Sequence, residues 1–544
     1  MEEMTYKKDK FENNIFESQK VINLENDIYH FFKEDANKVK IHFSNIDSKD
    51  NIEKTIYFNL KNIKDLTING NGSKFIFHGD MASFLVNNCQ NIIFENLIID
   101  HFVPTTVEMY VEKIEDKSVY YKIPDTFNYE IVGNDMFWMS EKNKKEKYYW
   151  KEKNSFNAHS ITVFDLKEKY SKRYVLEDGP FSKIEKIEKT NSGVKIQYQS
   201  LPNAIRENIM IALNASNNRD TAGFAVVESQ NIVFENVEFN YLHGFGLLVQ
   251  MSENITFSNC KFIGNERHMV SSFADSIHVS GAKGKISIEN CEFDSSLDDS
   301  INIHGTYTQV EEIKERTAIL RFVHHQQAGF KNYFIGDEIE FFDRKNLRRR
   351  EDKKYRIKSI LYPGEYNEDL QYMKVEFEEN LPDYLGEKIE GQGRFVAENI
   401  SYTPSVDIKN SIFSNIPSRA ILCTTRENVL IENNKFHNIT MASIYVSNDA
   451  NEWYESGFVD NMTIKNNLFS YSKIFLDNIM TKSIWIDPII SDEIGDFVHN
   501  KIEIIDNKFD IENKKAIVFK NTKNLIERDN IFRKKGEIGF TKNN

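Results

Sequence analysis

One short pattern returns along most of this chain, and its period limits the fold more than any other feature. An alternating apolar run closes on Asn, and a further apolar residue follows three positions later. It reads Asn231-Ile232-Val233-Phe234-Glu235-Asn236-Val237-Glu238-Phe239, then Asn254-Ile255-Thr256-Phe257-Ser258-Asn259-Cys260-Lys261-Phe262, then Lys285-Ile286-Ser287-Ile288-Glu289-Asn290-Cys291-Glu292-Phe293. An earlier copy is Asn91-Ile92-Ile93-Phe94-Glu95-Asn96. Later copies centre on Asn410, Asn433 and Asn466, with a weaker one on Asp506. The closing residues lie 23 (236 to 259), 31 (259 to 290), 23 (410 to 433), 33 (433 to 466) and 40 (466 to 506) residues apart. Self-similarity at such periods marks a repeat architecture. The two-residue alternation within each unit belongs to strands, not helices.

These units predict an all-β chain folded as a right-handed parallel β-helix. Each unit forms one coil of about three short strands, with coils stacked at about 4.8 Å. The recurring Asn is expected at an internal corner, its buried amide bonding backbone groups that leave the ladder. Cys260 and Cys291 then stack beside that ladder as small buried thiols rather than a disulfide. Few regular helices are expected.

Two gaps interrupt the repeat. Asn96 and Asn236 are 140 residues apart, and short alternating runs such as Thr106-Val107-Glu108-Met109-Tyr110-Val111 fill the space between. A second gap holds Ala318-Ile319-Leu320-Arg321-Phe322-Val323 and Glu338-Ile339-Glu340-Phe341-Phe342. Both read as inserted antiparallel β modules, sheets or small barrels. The expected order is N-terminal coils and cap (1–102), an inserted module (103–216), central coils (217–306), a barrel-like module (307–401), and C-terminal coils and cap (402–544). Asn69-Gly70-Asn71-Gly72 reads as a tight corner of an early coil, not a phosphate loop, because no helix start with a Lys follows. The lysine-rich tail after Asp510 is expected to cap the open end of the helix.

The formal net charge is -14 over 544 residues, which argues against nucleic acid or an anionic membrane as partner. No stretch approaches the roughly 18 apolar residues of a membrane span. Residues 1–8 show no apolar run behind a basic start, so a cytoplasmic location is expected, or an exported one if a leader has been removed. Four cysteines without CxxC spacing give neither a disulfide scaffold nor a zinc site. A homodimer is left open.

The chemistry concentrates in residues 274–305. The octet Ala-Asp-Ser-Ile-His-Val-Ser-Gly (274–281) overlays Asp-Asp-Ser-Ile-Asn-Ile-His-Gly (298–305) after a shift of 24 residues. Asp275 thus falls on Asp299, with Asp298 beside it. Alternation puts Ile277, Val279, Ile301 and Ile303 inside, and His278, Ser280, Asn302 and His304 outside. Parity would also turn Asp275 and Asp299 inward, where a bare charge is costly. Placed just before the strand, at a corner, all three carboxylates open onto one outer face. Clustered carboxylates repel, so at least one is pushed up in pKa. An acid beside an ionised base is what glycoside hydrolysis requires. The alternative is an acidic corner, solvated or holding Ca²⁺, although His278, Asn302 and His304 suit sugar hydroxyls better than a hard cation. No metal site and no cofactor are expected; His324 and His325 would point oppositely on a strand.

The run Ala-Asp-Ser-Ile-His (274–278), followed one coil later by Leu-Asp-Asp-Ser-Ile-Asn-Ile-His-Gly-Thr (297–306), resembles the signature of glycoside hydrolase family 110. Those are α-1,3-galactosidases, including enzymes that remove blood-group B galactose. The resemblance takes in the flanking coils, Phe75-Ile76-Phe77-His78-Gly79, and the two insertions, roughly residues 20–510. It implies a metal-independent, inverting, exo-acting enzyme whose partner is a galactose-terminated glycan. By that resemblance Asp298 is the general acid, while Asp275 and Asp299 position and deprotonate the water. The Ser-Ile after both Asp sites departs from the Ala-Thr or Pro variant of the family, which bears on fine substrate preference. Inversion implies acid and base carboxyls about 6.5–9.5 Å apart.

Polygalacturonases also place an Asp one coil before an Asp-Asp pair followed by His-Gly. Here His304-Gly305 follows the pair by only five residues, and no convincing Arg-x-Lys lies on a following coil to hold a uronate carboxylate, so uronate-polymer hydrolysis is the second reading. A non-catalytic β-helical carbohydrate-binding protein is the third. Among the remaining candidate sugar-binding residues, Arg419 occupies the Asp275-like place after the second insertion, as a substrate ligand or a structural ion pair. Arg267 and His268 lie in the corner before Asp275. Trp453 and Tyr454 lie in a long corner, placed to stack on a sugar or to pack an edge.

Overall fold

The computed structural model describes residues 5–6, 20–46, 52–153, 161–174, 179–215, 219–472, 481–492, 497–511 and 516–533. Strands of successive repeats pair in parallel and in register: Phe94 beside Phe234, Phe234 beside Phe257, Phe257 beside Ile288, and Ile288 beside Ile408. The chain is a parallel β-helix. Stacking in register brings the same position of every coil to one strand spacing, about 4.8 Å. One column of rings therefore runs from Phe239 through Phe262, Phe293, Phe413, Phe436, Phe469 and Phe509 to Phe532. Neighbouring centroids are 4.7–5.0 Å apart, with planes within 15°.

The repeated Asn is not the buried one, contrary to expectation. Asn96, Asn236, Asn259, Asn290, Asn410, Asn433, Asn466 and Asp506 take left-handed backbone at φ 53–57°, where Asn and Asp are tolerated better than other side chains. They lie at the outer corner, where Asn236 Nδ2 donates to Asn96 Oδ1 at 2.8 Å and Asn259 Nδ2 to Glu235 Oε1 at 2.7 Å. Turning the corner this way sends the next side chain into the bore. There Asn434, Asn467, Asn507 and Asn530 pass amide hydrogen bonds from coil to coil at 3.1, 3.0 and 3.2 Å. In earlier coils Leu97, Val237, Cys260, Cys291 and Ser411 fill that place, all buried. Both cysteines are free thiols.

The insertions leave the stack unbroken. The strands Gln90–His101 and Gln230–Phe239 pair directly across the first gap. The chain between them builds a seven-stranded sheet and a three-stranded sheet, both antiparallel. The larger sheet contains Tyr170–Tyr174 at one edge. Across the second gap, Ile301–Thr306 pairs with Arg419–Cys423. The intervening chain closes a six-stranded barrel of Thr308–Lys314, Thr317–Arg321, Tyr372–Phe377, Tyr355–Leu361, Glu338–Asp343 and Phe395–Asn399.

The tail after Asp510 continues the helix rather than only capping it. Ile517–Phe519, Thr522–Arg528 and Ile531–Phe532 lie in parallel on the coil before. The expected boundary at 216–217, residues 7–19 of the expected N-terminal unit and the final residues 534–544 lie outside the described residues.

Candidate active site

The two related octets stack as their spacing requires. Ile277 stands opposite Ile301, His278 opposite Asn302, Val279 opposite Ile303 and Ser280 opposite His304. Strands begin at Ile277 and Ile301, so Asp275 and Asp299 each lie two residues before a strand, at a corner. Backbone rungs hold the corners together: Ser276 N–H donates to the Asp299 carbonyl (3.0 Å) and Asp298 N–H to the Ala274 carbonyl (3.3 Å). Gly246 lies against this corner at φ 81°, and a Cβ there would stand 1.8 Å from the Asp275 carbonyl oxygen. Only glycine permits that approach.

One oxygen from each of Asp275, Asp298 and Asp299 lies within 4.8 Å of the others. Each carboxylate has its own surroundings. Asp299 Oδ1 accepts from Ser418 Oγ (2.9 Å), Arg419 N–H (3.2 Å) and Arg419 Nε (2.7 Å). Asp275 Oδ2 lies 2.8 Å from His278 Nδ1. Asp298 faces two guanidiniums, Arg173 at 3.1 Å and Arg219 at 3.5 Å. Arg173, on the edge strand Tyr170–Tyr174, also donates to the Leu297 carbonyl. The Asp298 side chain is 17% exposed, against 5% for Asp275 and 1% for Asp299.

These surroundings push the three acids apart. Burial raises Asp275 well above the carboxylate range, and the Asp298 charge adds to it. Burial also lifts Asp299 to about 7, against the pull of Arg419. Burial would raise Asp298 too, but Arg173, Arg219 and Arg419 outweigh it and hold Asp298 low. Burial thus favours the protonated form of Asp275 and Asp299, whereas the guanidiniums favour the ionised form of Asp298, the expected general acid. Three guanidiniums lie against this trio and supply positive charge to it.

A family model described as right handed beta helix region matches residues 175–314 and 397–544. Another, described as GLAA-B beta-barrel domain II, matches residues 317–388. Alpha-1,3-galactosidase A of Bacteroides thetaiotaomicron is 32% identical over 495 residues, covering 89% of this chain and 80% of that protein. Alpha-1,3-galactosidase A of Peterkaempfera griseoplana is 30% identical over 522 residues, covering 92% and 70%. The chain belongs to the α-1,3-galactosidases, glycoside hydrolase family 110. Alpha-1,3-galactosidase B of Bacteroides thetaiotaomicron matches at 29% identity over 464 residues, covering 83% and 70%. The β-helix is accordingly right-handed.

The other expected site residues divide. Arg419 reaches the trio and pairs with Asp299, and its guanidinium lies 5.6 Å from the Tyr445 ring centre. His278, Asn302 and His304 lie outside the bore but are buried, at 1, 4 and 2% exposure. Arg267 is elsewhere. Its guanidinium covers the Phe102 ring at 4.8 Å and bonds the Phe102 carbonyl, while His268 bonds Asp100 at 3.0 Å. Arg267 lines a cleft of about 870 Å³ with Lys122, Lys169, Asp294 and Asn415, and none of the three aspartates lines it. Trp453 is 43% exposed and packs its ring on His324 at 4.7 Å, while Tyr454 is buried. His324 and His325 occupy a turn rather than a strand, with ring centroids 4.4 Å apart.

Three site residues escape the sequence pattern: Arg173, Arg219 and Glu455. The first two belong to the inserted module and the chain returning from it. Glu455 follows Trp453 by two residues and stands 3.4 Å from His304 Nε2. Two acidic residues, Glu452 and Glu455, flanking the aromatic pair in a corner beside the repeat are the signal that points to it.

Proposed function

We propose that this protein is an exo-acting glycoside hydrolase that releases terminal α-1,3-linked galactose from glycans with inversion. The observation that carries the mechanism is one accessible carboxylate, Asp298, kept low in pKa by guanidiniums and within 4.8 Å of two buried carboxylates that burial raises. The family relatives support the linkage and the sugar.

Asp298 is the carboxylate that can meet a glycosidic oxygen. It acts as the acid once a proton crosses to it from Asp299, a transfer across less than 4.8 Å. The trio titrates as one unit, so the proton belongs to the set rather than to one member. A sugar oxygen at Asp298 takes over the looser contact, that of Arg219, and frees the carboxylate to hold the proton. Asp275 and Asp299 then share a water and remove its proton. Both are too buried to bond an anomeric carbon, and Asp299 Oδ1 already accepts three donors, so the attack falls to water and the configuration inverts. The trio is closer than the separation of about 6.5–9.5 Å usual for inversion. That spacing leaves room for water between two groups across the ring; here the burial of Asp275 and Asp299, not the spacing, is what supports attack by water.

The test is an NMR time course with galactose-α-1,3-galactose and the branched B trisaccharide, for wild type and Asp298→Asn. β-Galactose should appear first, and the variant should lose about 10²–10⁴-fold in kcat. α-Galactose appearing first rejects inversion, and unchanged turnover in the variant rejects Asp298 as acid. The guanidiniums around the trio favour a second reading, a uronate substrate. Arg173, Arg219 and Arg419 are all engaged by aspartates, however, and release of galacturonate from polygalacturonate would reverse the order of the two.

A further inference from the structure

The two histidines above the aspartates have little left to offer a sugar. His278 Nδ1 lies 2.8 Å from Asp275 Oδ2, and His278 Nε2 lies 2.9 Å from His304 Nε2. His304 Nδ1 lies 2.6 Å from the Gly305 carbonyl oxygen. His304 Nε2 is also 3.4 Å from Glu455 Oε1, which accepts from Asn302 Nδ2 at 3.4 Å. The strand Glu455–Ser456 is held there by antiparallel pairing, Thr306 opposite Glu455. Asp275, His278 and His304 are 5, 1 and 0% exposed at the side chain, while Glu455 at the outer end is 13% exposed.

Hydrogen-bond chemistry fixes the direction of this chain. A carbonyl oxygen only accepts, so His304 carries its proton on Nδ1. A neutral His304 then has a lone pair at Nε2, and His278 must donate from its own Nε2. The Nδ1 of a neutral His278 is therefore a lone pair facing Asp275, and the proton between them belongs to Asp275. Burial works in the same direction, raising Asp275 and lowering His278. A base that starts out protonated needs an outlet for its proton.

We propose that His278, His304 and Glu455 form a proton relay that empties Asp275, the histidines being positioning residues rather than sugar ligands. The inference rests on the glycosidase reading above. Asp275 gives its proton to His278 Nδ1, His278 gives its Nε2 proton to His304 Nε2, and His304 passes that proton to Glu455 Oε1. The net change is one proton moved from Asp275 to Glu455 and one change of tautomer at His278. Asp275 is left as a carboxylate able to deprotonate water, and Glu455 exchanges with solvent. Asp298, Asp299, Arg219 and Arg419 face Asp275; Arg219, Asp298 and the Phe245 ring face His278; Arg419 and Asp449 act on Glu455.

Two measurements on the full chain test this. The first is ¹⁵N NMR of histidine-labelled protein, assigned with His278→Gln and His304→Gln, which needs no substrate. The relay requires the Nδ1–H tautomer at His304 and the Nε2–H tautomer at His278. An Nε2–H tautomer at His304, or a cationic ring at either position, overturns the relay. The second is the pH profile of kcat and KM for Glu455→Gln and Glu455→Asp. Glutamine cannot take a proton, so Asp275 must ionise at its own raised pKa. The acid-side limb should move up by about one pH unit or more, and kcat at pH 6 should fall about tenfold. KM should stay within about twofold, and Asp should restore part of the rate. A raised KM with an unmoved limb makes these residues sugar ligands, and a uniform loss of kcat makes Glu455 structural; either overturns the relay. If wild type releases no sugar, the glycosidase reading fails, and the tautomers still decide the direction of the chain.

Discussion

Asp298 and Asp275 carry the same side chain within one cluster, yet their neighbours drive them in opposite directions. Two guanidiniums reach Asp298, while burial and an imidazole surround Asp275. The raised member has a consequence for stability. Its pKa is higher folded than unfolded, so its contribution is fully present below the ordinary Asp value and is lost as pH rises through the folded value. Asparagine keeps the shape and never ionises. The melting temperature of Asp275→Asn should therefore gain on wild type as pH rises from 4 to 8, and a difference that stays flat across that range would show that Asp275 is not held protonated. The positions of these carboxylates are legible in the sequence, because Asp275 and Asp299 share a place in a repeat. The ionisation of Asp298 is not, because Arg173 and Arg219, which hold it low, lie outside the repeat.

At the scale of the coil, one corner presents two kinds of asparagine with different duties. Asn466 turns the chain at φ 56° and is exposed. Asn467, buried at 1%, accepts from Asn434 N–H and Nδ2 and donates to Ile431 O and Asn507 Oδ1. Replacing Asn467 by Ala leaves several buried partners unmet and should cost about 2–3 kcal/mol. Asn466→Ala should cost about 1 kcal/mol, the strain of a left-handed residue with a Cβ, and Asn466→Gly almost nothing. Denaturant melts of the three variants check the order; equal losses for Asn466→Ala and Asn467→Ala would mean that the two positions are not distinct. The period of the repeat is what the sequence makes plain, since apolar alternation and spacing repeat on every coil. Which residue of the corner faces in is hidden, because the outer Asn recurs while the inner place passes from Leu97 to Cys260 to Asn467 with no shared chemistry.

Across the whole molecule, the site is completed by segments far apart in sequence. Asp275, Asp298 and Asp299 come from adjacent coils, Arg419 from the coil beyond the barrel, Glu455 from a later corner, and Arg173 from the first inserted sheet. That sheet is anchored where it meets the helix: Ser171 Oγ donates to the Asn415 carbonyl at 2.7 Å, and Thr440 Oγ1 donates to the Ser171 carbonyl. The insertion is thus a structural arm that delivers one charge to Asp298, which explains why a reading of the repeats alone could not find it. Removing the charge with Arg173→Gln should raise the pKa of Asp298, since Arg173 is the largest influence holding it down. If Asp298 is the acid, it then stays protonated to higher pH, and the alkaline limb of kcat should move upward. If Asp298 is instead the base, the same rise delays its ionisation, and the acid-side limb moves upward with the alkaline limb unchanged. The pH profile of this one variant therefore assigns the role of Asp298 through the inserted sheet, without altering any of the three carboxylates.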